Sequence, residues 1–359
     1  MGKGLAVGET TKRTTIVDVG RRAGVSTKTV SRVFNDSPNV SEEVRRRVRR
    51  AAAELHYHPN VFAQALVRRR SHLIGLLYDN PSPSYVINLQ MGMIARLEGE
   101  RYRLMVVPVK AAGDSADAIV AQLRAAALDG VVIVPPMSDD PAILDRLDAA
   151  GIRCARIAPT DMLDRAPGTM MDDTAAAREI AEHVIALGHR AIAIIKGPHT
   201  HPSSHARTAG FHAALDAAGI AVPSERIIQG EYNVDSGIAA ARKLLAGTDR
   251  PTAILAQNDD MAAGALLAAR ELGFDVPGDL SVVGFDDSEV ARVTWPRITT
   301  IRQPVFDMAF ACADVLIAEL EGRETEPLRL LPYELLRRGS TAPPRGQDGT
   351  RSSSHIPSP

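Results

Sequence analysis

The stretch D-V-G-R-R-A-G-V-S-T-K-T-V-S-R-V, residues 18–33, leaves few folds open to the start of this chain. Gly24 supplies a position free to take positive φ. Ser26 follows two residues later, with a hydroxyl that can accept an N–H from the first turn of a helix. The spacing predicts a short helix over 18–23, a tight turn, and a second helix over 27–33. Val19, Ala23, Val25, Val30 and Val33 form the apolar side that packs the two together. Thr15, with Asp18 three residues on, offers a weak capping box ahead of the first helix. A third helix is predicted from the cap Ser41 to about residue 55. Glu42 and Glu43 suit its positive end, and Val44, Val48, Ala51 and Leu55 recur at helical spacing.

Two helices joined this way form a helix-turn-helix. Ser26, Thr27, Lys28, Thr29, Ser31 and Arg32 remain outward, and they can reach base edges and phosphates in a major groove. The alternative is a merely solvated helix face, and charge argues against it. Residues 12–72 carry fourteen Lys and Arg against five Asp and Glu, a balance of +9. The whole chain is at −1, so the remainder is at about −10. A basic head on an acidic body attracts phosphate at one end only.

From residue 73 the pattern changes. Short apolar runs at 73–78, 104–109, 130–135, 152–157, 191–196, 253–256 and 280–285 suit parallel strands buried on both faces. Amphipathic stretches at 86–100, 115–128, 141–150, 174–187, 207–218, 235–246 and 259–272 lie between them. This alternation predicts doubly wound parallel sheets in two lobes that divide near Met171. The expected organisation is an unstructured 1–13, a helix-turn-helix domain at 14–59, a short helix and linker at 60–71, a two-lobed body at 72–338 whose chain crosses back near 300–330, and an unstructured tail at 339–359.

Read in order, these motifs resemble the LacI/GalR family of transcriptional regulators. The likeness covers about residues 14–338. It rests on T-T-I-V-D-V-G-R-R-A-G-V-S-T-K-T-V-S-R-V-F-N, V-S-E-E-V-R-R-R-V, Y-H-P-N-V-F-A-Q-A-L, L-G-H-R-A-I-A-I-I-K-G, R-T-A-G-F, N-D-D-M-A-A-G, L-S-V-V-G-F-D-D and W-P-R-I-T-T-I-R-Q-P. Gly20 departs from the alanine usual in the family. The resemblance implies an all-α helix-turn-helix domain joined to an α/β, two-lobed body like that of periplasmic binding proteins. It also implies a repressor that binds palindromic double-stranded operator DNA as a homodimer under the control of a small effector.

Thr27, Lys28 and Arg32 are the expected base contacts, and an Arg or Lys can pair with guanine O6 and N7. Ser26, Thr29, Ser31 and Asn35 suit phosphates, which position without specifying. Residues 60–66 look like the family's hinge helix, with Leu66 as a minor-groove wedge and Ala63 beside it. Arg68, Arg69 and Arg70 could touch phosphate or keep a linker solvated. Effectors of doubly wound lobes bind beyond the carboxyl ends of the strands. The candidates there are Asp79, Tyr85, Arg207, Asn258, Asp286 and Trp295, a set suited to a sugar: amides and carboxylates for paired hydroxyls, rings for the apolar face of a pyranose. Asp286 could instead cap the next segment, Trp295 could be core or interface, and Asp79 could bond backbone in its Pro-rich loop.

His199, His201 and His205 fall close enough together to raise a metal reading, but no cysteine completes a set. His205 or Ser203 could touch effector instead. No metal and no cofactor is expected. No G-x-S-x-G, Walker A or strand-linked G-x-G-x-x-G occurs, so no catalytic residues are assigned and an enzyme is not expected. No apolar run reaches bilayer length, no signal peptide is evident, and two isolated cysteines fit a reducing compartment. A cytoplasmic protein with no membrane contact is expected. The competing class is a sugar receptor without DNA function, against which the basic head counts.

Overall fold

The computed structural model describes residues 14–34, 37–57, 70–80, 82–110 and 113–345. The chain divides into two compact units, Met1–Ser71 and His72–Pro359. Asn35, Ala63, Leu66, Arg68 and Arg69 lie outside the described residues.

The first unit holds α1 (Ile16–Ala23), α2 (Thr27–Phe34) and α3 (Glu42–Glu54). Each start and stop has a local cause. Thr15 and Asp18 form the capping box of α1, and Gly24 ends it at φ 64°. The Ser26 hydroxyl accepts the Thr29 N–H at 3.2 Å, and Ser41 accepts that of Val44 at 3.4 Å. Val19, Val30, Val33, Val48 and Ala51 make the buried centre, and the Phe34 and Tyr57 rings lie 5.8 Å apart at its edge. The departure at Gly20 has a packing cause: a Cβ there would sit 2.9 Å from the Val25 carbonyl oxygen, where the turn folds back over α1.

The second unit contains a six-stranded parallel sheet and a four-stranded one. The larger comprises β1 (Leu73–Tyr78), β2 (Arg103–Pro108), β3 (Gly130–Ile133), β4 (Arg153–Ile157), β5 (Gly168–Met170) and β11 (Leu328–Leu330). Their spatial order is β11-β5-β4-β3-β1-β2. One face is covered by α4 (Pro83–Leu97) and α12 (Val305–Leu320), the other by α5 (Ala116–Ala125) and α6 (Pro141–Ala150). The smaller sheet runs β7-β6-β8-β9, from Ile227–Gln229, Ile192–Lys196, Ala253–Ala256 and Ser281–Val283. Its faces are covered by α7 (Asp173–Ala186) with α8 (Pro202–Ala217), and by α9 (Val234–Leu245) with α10 (Asp259–Glu271). Both lobes are doubly wound, as the alternation predicts.

The chain passes between lobes from β5 to α7, from β10 (Thr300–Arg302) to α12, and from β11 to β12 (Glu334–Leu336); α11 (Glu289–Val293) precedes β10. Strands β10 and β12 pair antiparallel. Two features depart from expectation. Helix α12 was not predicted, because its exposed side is partly apolar too, with Phe306 and Phe310, and it carries no clean polar face. The tail reading also begins too early. Gly339–Arg345 packs on the smaller lobe, Ser340 is fully buried, and its hydroxyl donates to the Val282 carbonyl at 2.6 Å.

His189 anchors that segment. Its Nε2 lies 2.8 Å from the Ala342 carbonyl, which places the proton there, and Nδ1 meets the Thr252 hydroxyl at 2.9 Å. Burial lowers its pKa, so the fold favours neutral imidazole while the unfolded chain binds a proton near pH 6.5. The contribution of His189 is therefore complete above that pH and is lost as pH falls through the unfolded value toward the folded one. Thermal melts between pH 8 and 5 should fall less steeply for His189→Gln than for the parent chain; equal slopes would contradict this reading.

Candidate functional site

On the first unit, Ser26, Thr27, Lys28 and Arg32 are exposed, and Thr29 and Ser31 are half-buried. The Ser26 hydroxyl also meets that of Thr29 at 3.0 Å. Lys28 and Arg32 have no ion-pair partner among the described residues. The remaining basic charge is not all available to a ligand. Arg22 and Arg50 both bind Glu54, at 2.7 and 3.0 Å, and hold its carboxyl below the usual range. Arg45 donates to the Ser37 carbonyl. Arg47 on α3 reaches the Ala23 carbonyl at 2.7 Å, at the C-terminal end of α1. It is a support for the turn that sequence reasoning missed, because the contact crosses from α3. Arg47→Ala should lower the melting point of the first unit's transition by an amount worth about 1 kcal/mol; an unchanged melt would remove Arg47 from that role.

The second unit has a cleft where the strand ends of both sheets converge. It holds about 450 Å³ of space, its open mouth included. Asn80, Ser82 and Tyr85 follow β1, Pro135 follows β3, and Ala158 follows β4. From the other lobe come Asp173 at the start of α7, His201, Ser203 and Arg207 after β6, Tyr232 after β7, Asn258 after β8 and Asp286 after β9. Gln303 enters on a crossing segment. Nearly all these residues stand at carboxyl ends of parallel strands, where such folds place ligands.

Of the six expected cleft residues, Tyr85, Arg207, Asn258 and Asp286 come together. Asp79 stands beside the cleft rather than in its lining, and its charge acts on His201. Trp295 is elsewhere. It is 87% exposed, at a groove between α10 and α11 with Leu266, Leu267 and Phe274. The tyrosine rings in the lining are those of Tyr85 and Tyr232. Tyr232 enters at φ 54° over Gly197, where a Cβ would lie 2.1 Å from its ring. Its ring meets that of His201 edge-on at 5.4 Å. Ser203 lines the cleft, whereas His205 turns to the His199 carbonyl at 2.7 Å. Among the described residues no cluster of His, Cys, Asp and Glu could hold a metal. Asp173, Tyr232 and Gln303 were not foreseen; Asp173 carried a signal, as the second of two aspartates opening a helix.

Arg207 is the centre of the cleft's electrostatics. It is buried, with Nε 2.8 Å from Asp173 Oδ1, Nη1 donating to the Gln257 carbonyl at 2.5 Å and 3.6 Å from Asp286 Oδ1. Its guanidinium stacks 3.8 Å over the Phe285 ring. Gln303 donates to Asp286 Oδ1. Burial pushes the Asp286 carboxyl up to about 7, against the lowering pull of Arg207. The φ of 117° at Asp286, followed by 56° at Asp287, is a strained turn that aims one carboxylate at the cleft and the other away. Asp287 binds Arg302 at 2.9 Å and also Arg338, tying the turn to both sides of the β10–β12 pair. Asn258 is engaged structurally, its Oδ1 capping α10 through the Met261 N–H at 3.0 Å and its Nδ2 donating to the Tyr232 carbonyl at 3.1 Å.

Comparison with known proteins gives this architecture its setting. Residues 15–60 match the family described as bacterial regulatory proteins, lacI family, and residues 181–341 match the periplasmic binding protein-like domain. The chain is 32% identical over 334 residues to the HTH-type transcriptional regulator DegA of Bacillus subtilis (strain 168), covering 92% of this chain and 99% of that one. The chain belongs to the lacI family of bacterial regulatory proteins. The lactose operon repressor of Escherichia coli (strain K12) is 34% identical over 342 residues, 94% of this chain and 93% of the relative. Among solved structures, the lac repressor dimer bound to operator and the anti-inducer ONPF superposes with a TM-score of 0.81 at 31% identity, covering 92% of this chain and all of that one. A complex of the regulator CelR with cellobiose gives 0.69 at 30%, with coverage of 91% and 100%. This lacI-family chain is thus a DNA-binding transcriptional regulator with an effector-binding body, and its relatives are regulators rather than enzymes.

Proposed function

We propose that this protein is a homodimeric, cytoplasmic repressor of a palindromic operator, and that a sugar in the cleft sets its DNA affinity. Thr27, Lys28 and Arg32 read bases, Ser26, Thr29, Ser31 and Asn35 hold phosphates, and Leu66 with Ala63 enters the minor groove at the palindrome centre. The observation that carries the sugar reading is the cleft itself. Its polar groups (Arg207, Asp173, Asp286, Gln303) alternate with the Tyr85 and Tyr232 rings, as binding of paired hydroxyls above an apolar sugar face requires. CelR, similar over most of its length, is in complex with cellobiose, which favours the same class here.

A second copy of the chain suits the larger lobe's outer face. Ile87, Met91 and Ile94 on α4 stay about half exposed, and Phe306 and Phe310 on α12 nearly so. The two helices pack closely, since a Cβ on Gly92 would meet the Phe306 carbonyl oxygen at 2.2 Å, so these side chains share one apolar patch. The lac repressor is a dimer in its operator complex. Among the described residues no helix is long and apolar enough to cross a membrane.

The link between sites is energetic: a sugar that favours one lobe arrangement shifts the population that grips DNA. Thermal-shift screening of the full chain against a carbohydrate library should raise its melting point with one structural class of sugar. A library without effect would overturn the sugar reading.

A further inference from the structure

Between β9 and α11 the chain places Asp286 and then Asp287 at positive φ, and neither is glycine. Such a turn costs free energy and persists only where its surroundings over-determine it. From the cleft side, Gln303 donates to Asp286 Oδ1, and Arg207 Nη1 lies 3.6 Å from the same oxygen. The Asp286 N–H donates to the Ile301 carbonyl of β10 at 2.8 Å. On the outward side Arg302 and Arg338 hold Asp287. A further hold comes from behind, through Asp259.

Asp259 opens α10, is fully buried, and is not among the residues that line the cleft. Its main-chain N–H donates to the Phe285 carbonyl at 2.9 Å, just before the turn. Its Oδ2 accepts the Ser288 N–H at 2.7 Å, just after it. Its Oδ1 accepts the Thr300 hydroxyl of β10 at 2.7 Å. The span Phe285–Ser288 is thus pinned at both ends to one residue, and that residue is pinned to the strand that leads on to Gln303. The fit is close, since a Cβ on Gly284 would collide with Asp259 Oδ1. Burial, helped by the Asp286 charge, pushes the Asp259 carboxyl well above its ordinary range. An apolar side chain would be easier to bury here, but it would leave the Ser288 N–H and the Thr300 hydroxyl unpaired.

Resting on the reading of the cleft as the effector site, whichever sugar fills it, the structure assigns Asp259 a positioning role: from behind the lining it sets the direction of the Asp286 carboxylate, and through it the affinity for effector. Asp259 itself does not touch the ligand.

Asp259→Ala and Asp259→Asn test this in the full-length protein. Both remove the carboxylate charge. Only the amide can offer its oxygen to the Ser288 N–H while its NH2 donates to the Thr300 oxygen. In crystals of Asp259→Ala the Asp286 carboxylate should stand at least ~1 Å from its place in the parent, enough to end its hydrogen bonds, whereas Asp259→Asn should superpose on the parent. Calorimetry with a sugar that raises the parent's melting point should show binding weakened at least ~10-fold by Asp259→Ala and less than ~3-fold by Asp259→Asn. Thr300→Val, which keeps the shape and removes one of the two side-chain donors, should act in the direction of Asp259→Ala and decides the matter where that variant does not fold. An Asp286 carboxylate unmoved in Asp259→Ala and Thr300→Val, or equal losses in the alanine and asparagine variants, overturns the positioning role and leaves the sugar reading standing. A library in which no sugar stabilises the parent overturns the sugar reading, and the place of Asp286 in the variant crystals still decides this one.

Discussion

Arg207→Leu is expected to lower the unfolding free energy of the body by about 3–5 kcal/mol and to erase the response to effector. The argument is one of unbalanced charge. Arg207 is 5% exposed and lies between Asp173 and Asp286. Leucine fills much of the space over Phe285 but leaves two buried carboxylates without their guanidinium and the Gln257 carbonyl without its donor. One carboxylate must then ionise at high cost or take up a proton. Asp286→Asn separates the two effects: it keeps the shape and the Gln303 contact and leaves Arg207 paired with Asp173, so the fold should survive while the effector response is lost. Urea titration read by circular dichroism, with effector-induced change in operator affinity measured alongside, distinguishes these outcomes. An Arg207→Leu protein as stable as the parent would show that the buried pair does not organise the cleft.

The second large effect is on DNA. Lys28→Ala with Arg32→Ala should remove most preference for the operator while leaving weak, salt-sensitive attraction to any duplex. Both side chains are exposed on α2, which is fixed by the Gly24 turn below and Val30 and Val33 behind. Each bidentate base contact discriminates by about 1–3 kcal/mol. A dimer uses each contact twice, so a loss of at least ~100-fold in operator preference is expected from the pair. The residual binding rests on phosphate contacts and should fall with salt. Competition titration of operator against scrambled duplex reads the ratio; an unchanged ratio would move specificity to other residues.

How far the sequence foretold this arrangement depends on the range of each cause. The caps at Thr15, Ser26 and Ser41 and the turn at Gly24 are local, and all were legible. The lobes were legible because parallel strands buried on both faces leave continuous apolar runs. Short segments were not: β5, β7, β10, β11 and β12 are three residues each and gain strand geometry only from a neighbour. Helix α12 hid because apolar side chains, Phe306 and Phe310, stand on its exposed side as well as its buried one and blur the amphipathic period. In the cleft, Arg207, Asn258 and Asp286 could be anticipated from their place after strands. Gln303 could not, since it arrives on a segment that crosses between lobes, and Asp173 left only the signal of paired aspartates at a helix start. Trp295 drew attention as the lone tryptophan, but rarity says nothing about direction, and the cis peptide segment it opens faces outward.

The central claim is that one chain couples selective duplex recognition to occupancy of the cleft. Selection of duplexes from a random library by the full-length protein tests it most directly, followed by titration of the enriched duplex with and without the sugar that stabilises the protein. The account predicts enrichment of a single palindrome and a shift in its affinity when that sugar is added. Enrichment of no sequence over random DNA, or an affinity indifferent to a sugar that demonstrably binds, would contradict it.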